Sequence, residues 1–121
     1  MKSVFDVRPD AIMPLGNGSF YYNYNIVEKE VETEEGEKKT VYECDTVQVW
    51  NEPTYAKLVK AVIREAIDET EEFNKVNSFN AAQLGMLEEE EAAKAVAEYK
   101  DYLNFVAEVK TQVKADLQPK A

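Results

Sequence analysis

The chain contains no histidine. That absence removes imidazole acid–base catalysis, Ser-His-Asp and Cys-His nucleophile systems, and histidine metal ligands. A single cysteine, Cys44, leaves no partner for an internal disulfide and too few thiolates for a metal cluster. Its acidic neighbours Glu43 and Asp45 are the wrong surroundings for a reactive thiolate, so Cys44 reads as a small residue in a strand. A free thiol fits a reducing compartment. The only glycines are Gly16, Gly18, Gly36 and Gly85, and their spacing matches neither G-x-G-x-x-G nor G-x-x-x-x-G-K-[ST], which excludes a phosphate-cradling loop. No apolar run approaches the roughly 18–20 residues of a membrane span. Basic residues are scarce: 14 against 24 acids give a formal net charge of −10. Phosphate backbones and anionic membranes need a basic footprint, so neither is an expected partner.

What is present fits one α+β domain over residues 1–121, with a β meander in 1–50 and a helical part in 51–121. Apolar residues make up 45 % of the 121, enough for a core. Ser3–Val7 is a short strand candidate, followed by the breakers Pro9 and Pro14. Gly16-Asn17-Gly18 is a turn, because glycine and asparagine tolerate positive φ. A long strand runs from Ser19 to about Glu32, a reversal centres on Gly36, and Lys39–Trp50 is a third strand rich in Val, Tyr and Thr. A two-residue loop at Glu35-Gly36 would set Glu32 opposite Lys39, Tyr24 opposite Val47, Tyr22 opposite Val49 and Tyr21 opposite Trp50. It would also set Glu28 against Glu43, an unfavourable pair that calls for a bulge or a shifted register.

The period then changes to that of helices. Asn51-Glu52-Pro53-Thr54 is a start signal. Tyr55, Leu58, Val59, Val62, Ile63 and Ala66 form an apolar stripe, predicting a helix over 54–67. Thr70 is a candidate cap for a short helix through Val76, and Ser78 for another that stops at Gly85. From Leu87 to Leu117, Ala92, Val96, Tyr99, Leu103, Val106, Val113 and Leu117 repeat at alternating spacings of four and three. Ala95, Tyr102, Phe105 and Val109 widen that stripe. Such a helix would run on the order of 45 Å, so it bends, breaks or projects toward a partner. Pro119 is expected to stop it. The expected architecture is a small antiparallel sheet of about three strands, then two or three helices packed on one of its faces.

The carboxylate runs do not spell a site. Asp68-Glu69-Thr70-Glu71-Glu72 lacks the mid-loop glycine and the alternating ligands of a calcium loop. Glu88–Glu91 reads as a solvated first helical turn, where the helix dipole favours acids. Asn17-Gly18-Ser19 matches an N-glycosylation pattern, but the turn needs Asn and Gly there in any case. In the stretch SFYYNYNIV, Phe20, Tyr22, Tyr24 and Ile26 share one strand face, which is a good core face. Tyr21, Asn23, Asn25 and Val27 share the other. Tyr21 and Trp50 are thus left as candidate partner contacts, and Tyr102 and Phe105 on the long helix join them. No catalytic residue, metal ligand, cofactor or small-molecule substrate is indicated.

Three segments carry a family resemblance: GNGSFYYNYNI (Gly16–Ile26), VQVWNEPTYAKLVKAVIREAI (Val47–Ile67) and EYKDYLNFVAEVKTQV (Glu98–Val113). Together they resemble short proteins of unknown function encoded among the tail genes of phages and prophages. The resemblance implies a small accessory or structural protein of a phage particle, concerned with tail assembly, and transfers no catalytic residue. The expectation is a non-enzymatic interaction or structural module that binds a protein partner or its own copies. The alternative is an acidic decoy, similar to a DNA mimic, that blocks a basic protein. The opening MKSVFDVRPD has charges where a secretory signal has its apolar stretch, so a cytoplasmic location is expected, or a virion-associated one if the chain is phage-derived.

Overall fold

The computed structural model describes residues 1–118. Pro119, the expected helix stop, lies outside them. The elements are β1 (Lys2–Phe5), β2 (Ile12–Pro14), β3 (Ser19–Glu32), β4 (Lys38–Trp50), α1 (Tyr55–Ala66), α2 (Glu69–Gln83) and α3 (Glu89–Asp116). The class is α+β, with an antiparallel sheet preceding three helices. The chain divides into two compact units, Met1–Ala61 and the residues from Val62 on.

In the first unit the sheet order is β1-β4-β3-β2, so the two long strands sit in the middle. There are four strands, where about three were expected. The extra one, β2, pairs Ile12, Met13 and Pro14 with Tyr22, Tyr21 and Phe20. Three residues are too short to show a period of two, and only the neighbouring strand makes them extended. Pro14 is tolerated because it ends an edge strand.

The β3–β4 register differs from the two-residue-loop expectation in two steps. Thr33 N donates to Glu37 O at 2.8 Å and Gly36 N to Thr33 O at 3.0 Å, with Gly36 at φ +80°. This is a three-residue loop, a turn followed by a left-handed glycine. Glu32 therefore faces Lys38, not Lys39. Further in, the pairing shifts between Tyr24 and Val27, and Asn25 at the shift has φ +53°. Asn25 and Ile26 together oppose Cys44, as in a β-bulge. Beyond the bulge Tyr24 faces Asp45, Tyr22 faces Val47, and Trp50 faces Ser19 rather than Tyr21. The Glu28–Glu43 clash disappears: Glu28 faces Tyr42, Val27 faces Glu43, and Lys29 Nζ lies 3.4 Å from Glu43 Oε2.

Each one-residue slip would turn a strand over. Two slips restore the original face, so Tyr22 and Tyr24 do share a buried side, with ring centroids 5.4 Å apart. The buried apolar residues of this unit are Tyr22, Tyr24, Val41, Cys44, Val47, Val49, Leu58 and Val59. The opposite face is also covered at its centre, where Cys44 is buried together with the polar Ser19, Asn23 and Thr46. Asn23 is 1 % exposed. Its amide donates to Asp10 O at 2.9 Å, and its Oδ1 accepts from Thr46 Oγ1 at 2.8 Å. Cys44 Sγ lies 3.8 Å from both Asn23 Oδ1 and Thr46 Oγ1. At the turn before β3, Asn17 Oδ1 accepts from Ser19 N at 3.1 Å, which fixes the asparagine as a turn residue.

In the second unit α2 packs on α3. Residues 69–83 form one helix rather than two short ones. Its cap is Asp68, whose Oδ1 accepts from Glu71 N at 2.8 Å, and not Thr70. Ser78 lies inside the helix, and Gly85 follows it at φ +70°. α3 is continuous over 28 residues, about 42 Å. Its buried residues are Ala95, Val109 and Val113, while Leu103 is 47 % exposed. The inward line is therefore rotated by about one position from the stripe that includes Leu103.

Candidate functional site

The two pairs of predicted contact residues fall in different units. Tyr21 is half-buried and Trp50 is 56 % exposed at the end of β4. They do not face each other. Tyr21 pairs with Gln48 and Trp50 with Ser19, so the two rings share a sheet face one diagonal step apart. Ser19 is fully buried beneath this end of the face, its Oγ accepting from Gln48 Nε2 at 3.0 Å. Lys57 Nζ donates to Trp50 O at 3.0 Å, and Thr54 Oγ1 accepts from Lys57 N at 3.3 Å at the start of α1. The backbone on which Trp50 is displayed is thus tied down while its indole stays in solvent.

Tyr102 and Phe105 do come together. They line one recess of about 300 Å³ with Ala66, Ile67, Lys75, Glu98 and Asp101. Behind it runs a polar chain that the sequence did not announce. Arg64 Nη2 donates to Glu72 Oε1 at 2.8 Å, and the Tyr102 hydroxyl donates to Glu72 Oε2. Arg64 Nε lies 3.8 Å from Glu69 Oε1. Hydrogen bonds from Arg64 and Tyr102 hold the Glu72 carboxyl below the usual carboxylate range. Burial, with the Glu72 carboxylate beside it, pushes the Tyr102 phenol up to about 12. Phe79 stacks on Tyr99 at 4.4 Å, and Tyr99 on Tyr102 at 6.2 Å, which locks the α2–α3 contact.

This geometry points to an anchored aromatic wall. The Tyr102 hydroxyl is engaged with Glu72, and at neutral pH the phenol is protonated, which suits positioning. A spectrophotometric titration checks it. In ultraviolet difference spectra, Tyr102→Phe should remove one phenol titrating near 12. The raised value also gives a sign for stability. Tyr102 supports folding fully below about pH 10, and that support is lost as pH rises toward 12.

Among the described residues, no group of three or more Cys, Asp or Glu side chains is placed to hold a metal ion, and no helix is long and apolar enough to cross a membrane. No family model matches the chain, and neither does any curated protein or solved structure.

Proposed function

We propose that this protein is a non-enzymatic interaction or structural module that works by presenting aromatic side chains to a protein partner or to its own copies. The observation that carries this reading is Trp50, the chain's one tryptophan, 56 % exposed on a backbone held by Lys57. Large aromatics on pinned backbone cost little ordering entropy when they are covered, and they are frequent interface anchors. The Tyr102–Phe105 recess in the second unit supplies a further apolar surface of the same kind. The resemblance to phage tail-region proteins supplies the context of particle assembly. The net charge of −10 favours a protein partner over nucleic acid.

Light scattering over a range of concentrations, at low and high salt, tests the self-assembling form. The expected result is a stable oligomer at both salts that Trp50→Ser weakens without changing the melting temperature. A monomer throughout, unaffected by that substitution, sinks it.

A second reading, the acidic decoy, has its own observation. Glu28, Glu30 and Glu32 are exposed and alternate along β3, so their carboxylates repeat on one face at about 6.8 Å. Glu34, Glu35 and Glu37 continue the charge around an exposed loop. A regular row of carboxylates can imitate a row of phosphates toward a basic cleft. Binding of that kind should fall steeply with salt, whereas an aromatic interface should not.

A further inference from the structure

The β3–β4 hairpin outruns its neighbours. β1 pairs only as far along β4 as Tyr42, and β2 pairs with β3 only over Phe20–Tyr22. The last backbone bond on the β2 side is Asn23 N to Ala11 O at 2.7 Å. Beyond the bulge, β3 continues from Val27 to Glu32 with β4 on one side and, among the described residues, no strand on the other. All six of these residues are exposed.

Thr33 N is bonded across the hairpin to Glu37 O. Alternation along an antiparallel ladder then turns the groups of Val31, Lys29 and Val27 toward β4 and those of Glu28, Glu30 and Glu32 outward. The bulge at Asn25 exchanges this parity, which agrees with Asn23 N pointing outward to Ala11 and Gly18 O accepting inward from Asn51 N at 2.7 Å. The open edge is therefore a row of unsatisfied donors and acceptors belonging to three glutamates.

We infer that this edge, Val27–Glu32 of β3, is a strand-addition site for an extended basic segment of a partner protein. Unpaired edges are templates for another chain, and backbone pairing supplies the affinity. Charge selects the occupant. A second copy pairing edge to edge would set the two glutamate rows beside each other, which is destabilising. A segment with lysine or arginine at alternate positions would place each base beside Glu28, Glu30 or Glu32. Its intervening side chains would lie beside Val27, Lys29 and Val31; the valines are 57 % and 38 % exposed, and the Lys29 ammonium is drawn to within 3.4 Å of Glu43. A β-branched or other small apolar residue fits there.

The inference deepens the interaction-module reading and rests on it. The test is a fluorescence-anisotropy titration of the full chain with a short labelled peptide alternating lysine with valine. A twin peptide, N-methylated at alternate amides, keeps every charge and loses the donors of one edge. The parent should bind, and the twin should bind about tenfold more weakly or worse. Glu30→Pro, which removes an outward N–H and spares the β4 ladder, should weaken the parent by a similar factor. If both peptides bind equally, charge alone is responsible and the strand-addition site is wrong. If neither binds, it is also wrong, while an oligomer sensitive to Trp50→Ser would leave the broader reading standing. If Glu30→Pro disturbs the hairpin, the peptide pair still decides.

Discussion

Replacing Tyr22 by alanine should lower stability by about 3–5 kcal/mol, the usual cost of deleting a fully buried ring. Tyr22 is 0 % exposed, stacks on Tyr24, and faces Val47 across the ladder. Whole-domain stabilities are about 5–15 kcal/mol, so the variant should be marginal at room temperature. In a thermal melt followed by circular dichroism, the midpoint should drop on the order of 10–20 °C. Tyr21→Ala, one residue away on the half-buried face, should cost about 1 kcal/mol, near the average for point substitutions. Equal losses for the two would show that the strand faces are assigned wrongly.

Asn23→Leu should be the next most damaging, at about 2–4 kcal/mol, although it adds apolar surface to a buried position. The amide is the hub of a closed polar cluster: it donates to Asp10 O and accepts from Thr46 Oγ1, which in turn accepts from the Ser3 hydroxyl at 2.8 Å. Leucine leaves the Asp10 carbonyl without its donor and strips Thr46 of one partner. Leaving a buried polar group unpaired costs more than a typical hydrogen bond contributes. A double-mutant cycle with Thr46→Val separates this from simple misfit. Once both ends of the bond are apolar, the double variant should be less destabilised than the sum of the singles, by about 1–2 kcal/mol. Strict additivity would mean that the cluster is not coupled.

Much of the fold was legible because local rules decided it. The long strands read from β-branched and aromatic residues bounded by glycine turns. α1 read from a single apolar stripe behind Thr54, and α3 from 28 residues without Gly or Pro. The middle helix was not legible, because its inner line mixes Glu72 and Lys75 with Val76, Phe79 and Ala82, and Phe73 is 62 % exposed. No periodic stripe exists to be found there. Arg64 and Glu72 lie eight positions apart across a helix break, so only the path of the chain brings them together with Tyr102.

The residues alone carried the two long strands, α1 and α3, the balance of charge, the buried side of Phe20–Tyr24, and the exclusion of histidine chemistry. Each depends on residue identity or on a period of two or 3.6, which the chain carries locally. Only tertiary structure decided the strand register. One extra turn residue at Gly36 and one bulged residue at Asn25 are each invisible to periodicity, yet together they move Trp50 from Tyr21 to Ser19. Tertiary structure also created β2, buried Asn23, and left the glutamate edge of β3 without a neighbour. Each of those outcomes depends on which backbone groups meet across space, and hydrogen bonds between distant strands leave no periodic mark in the sequence.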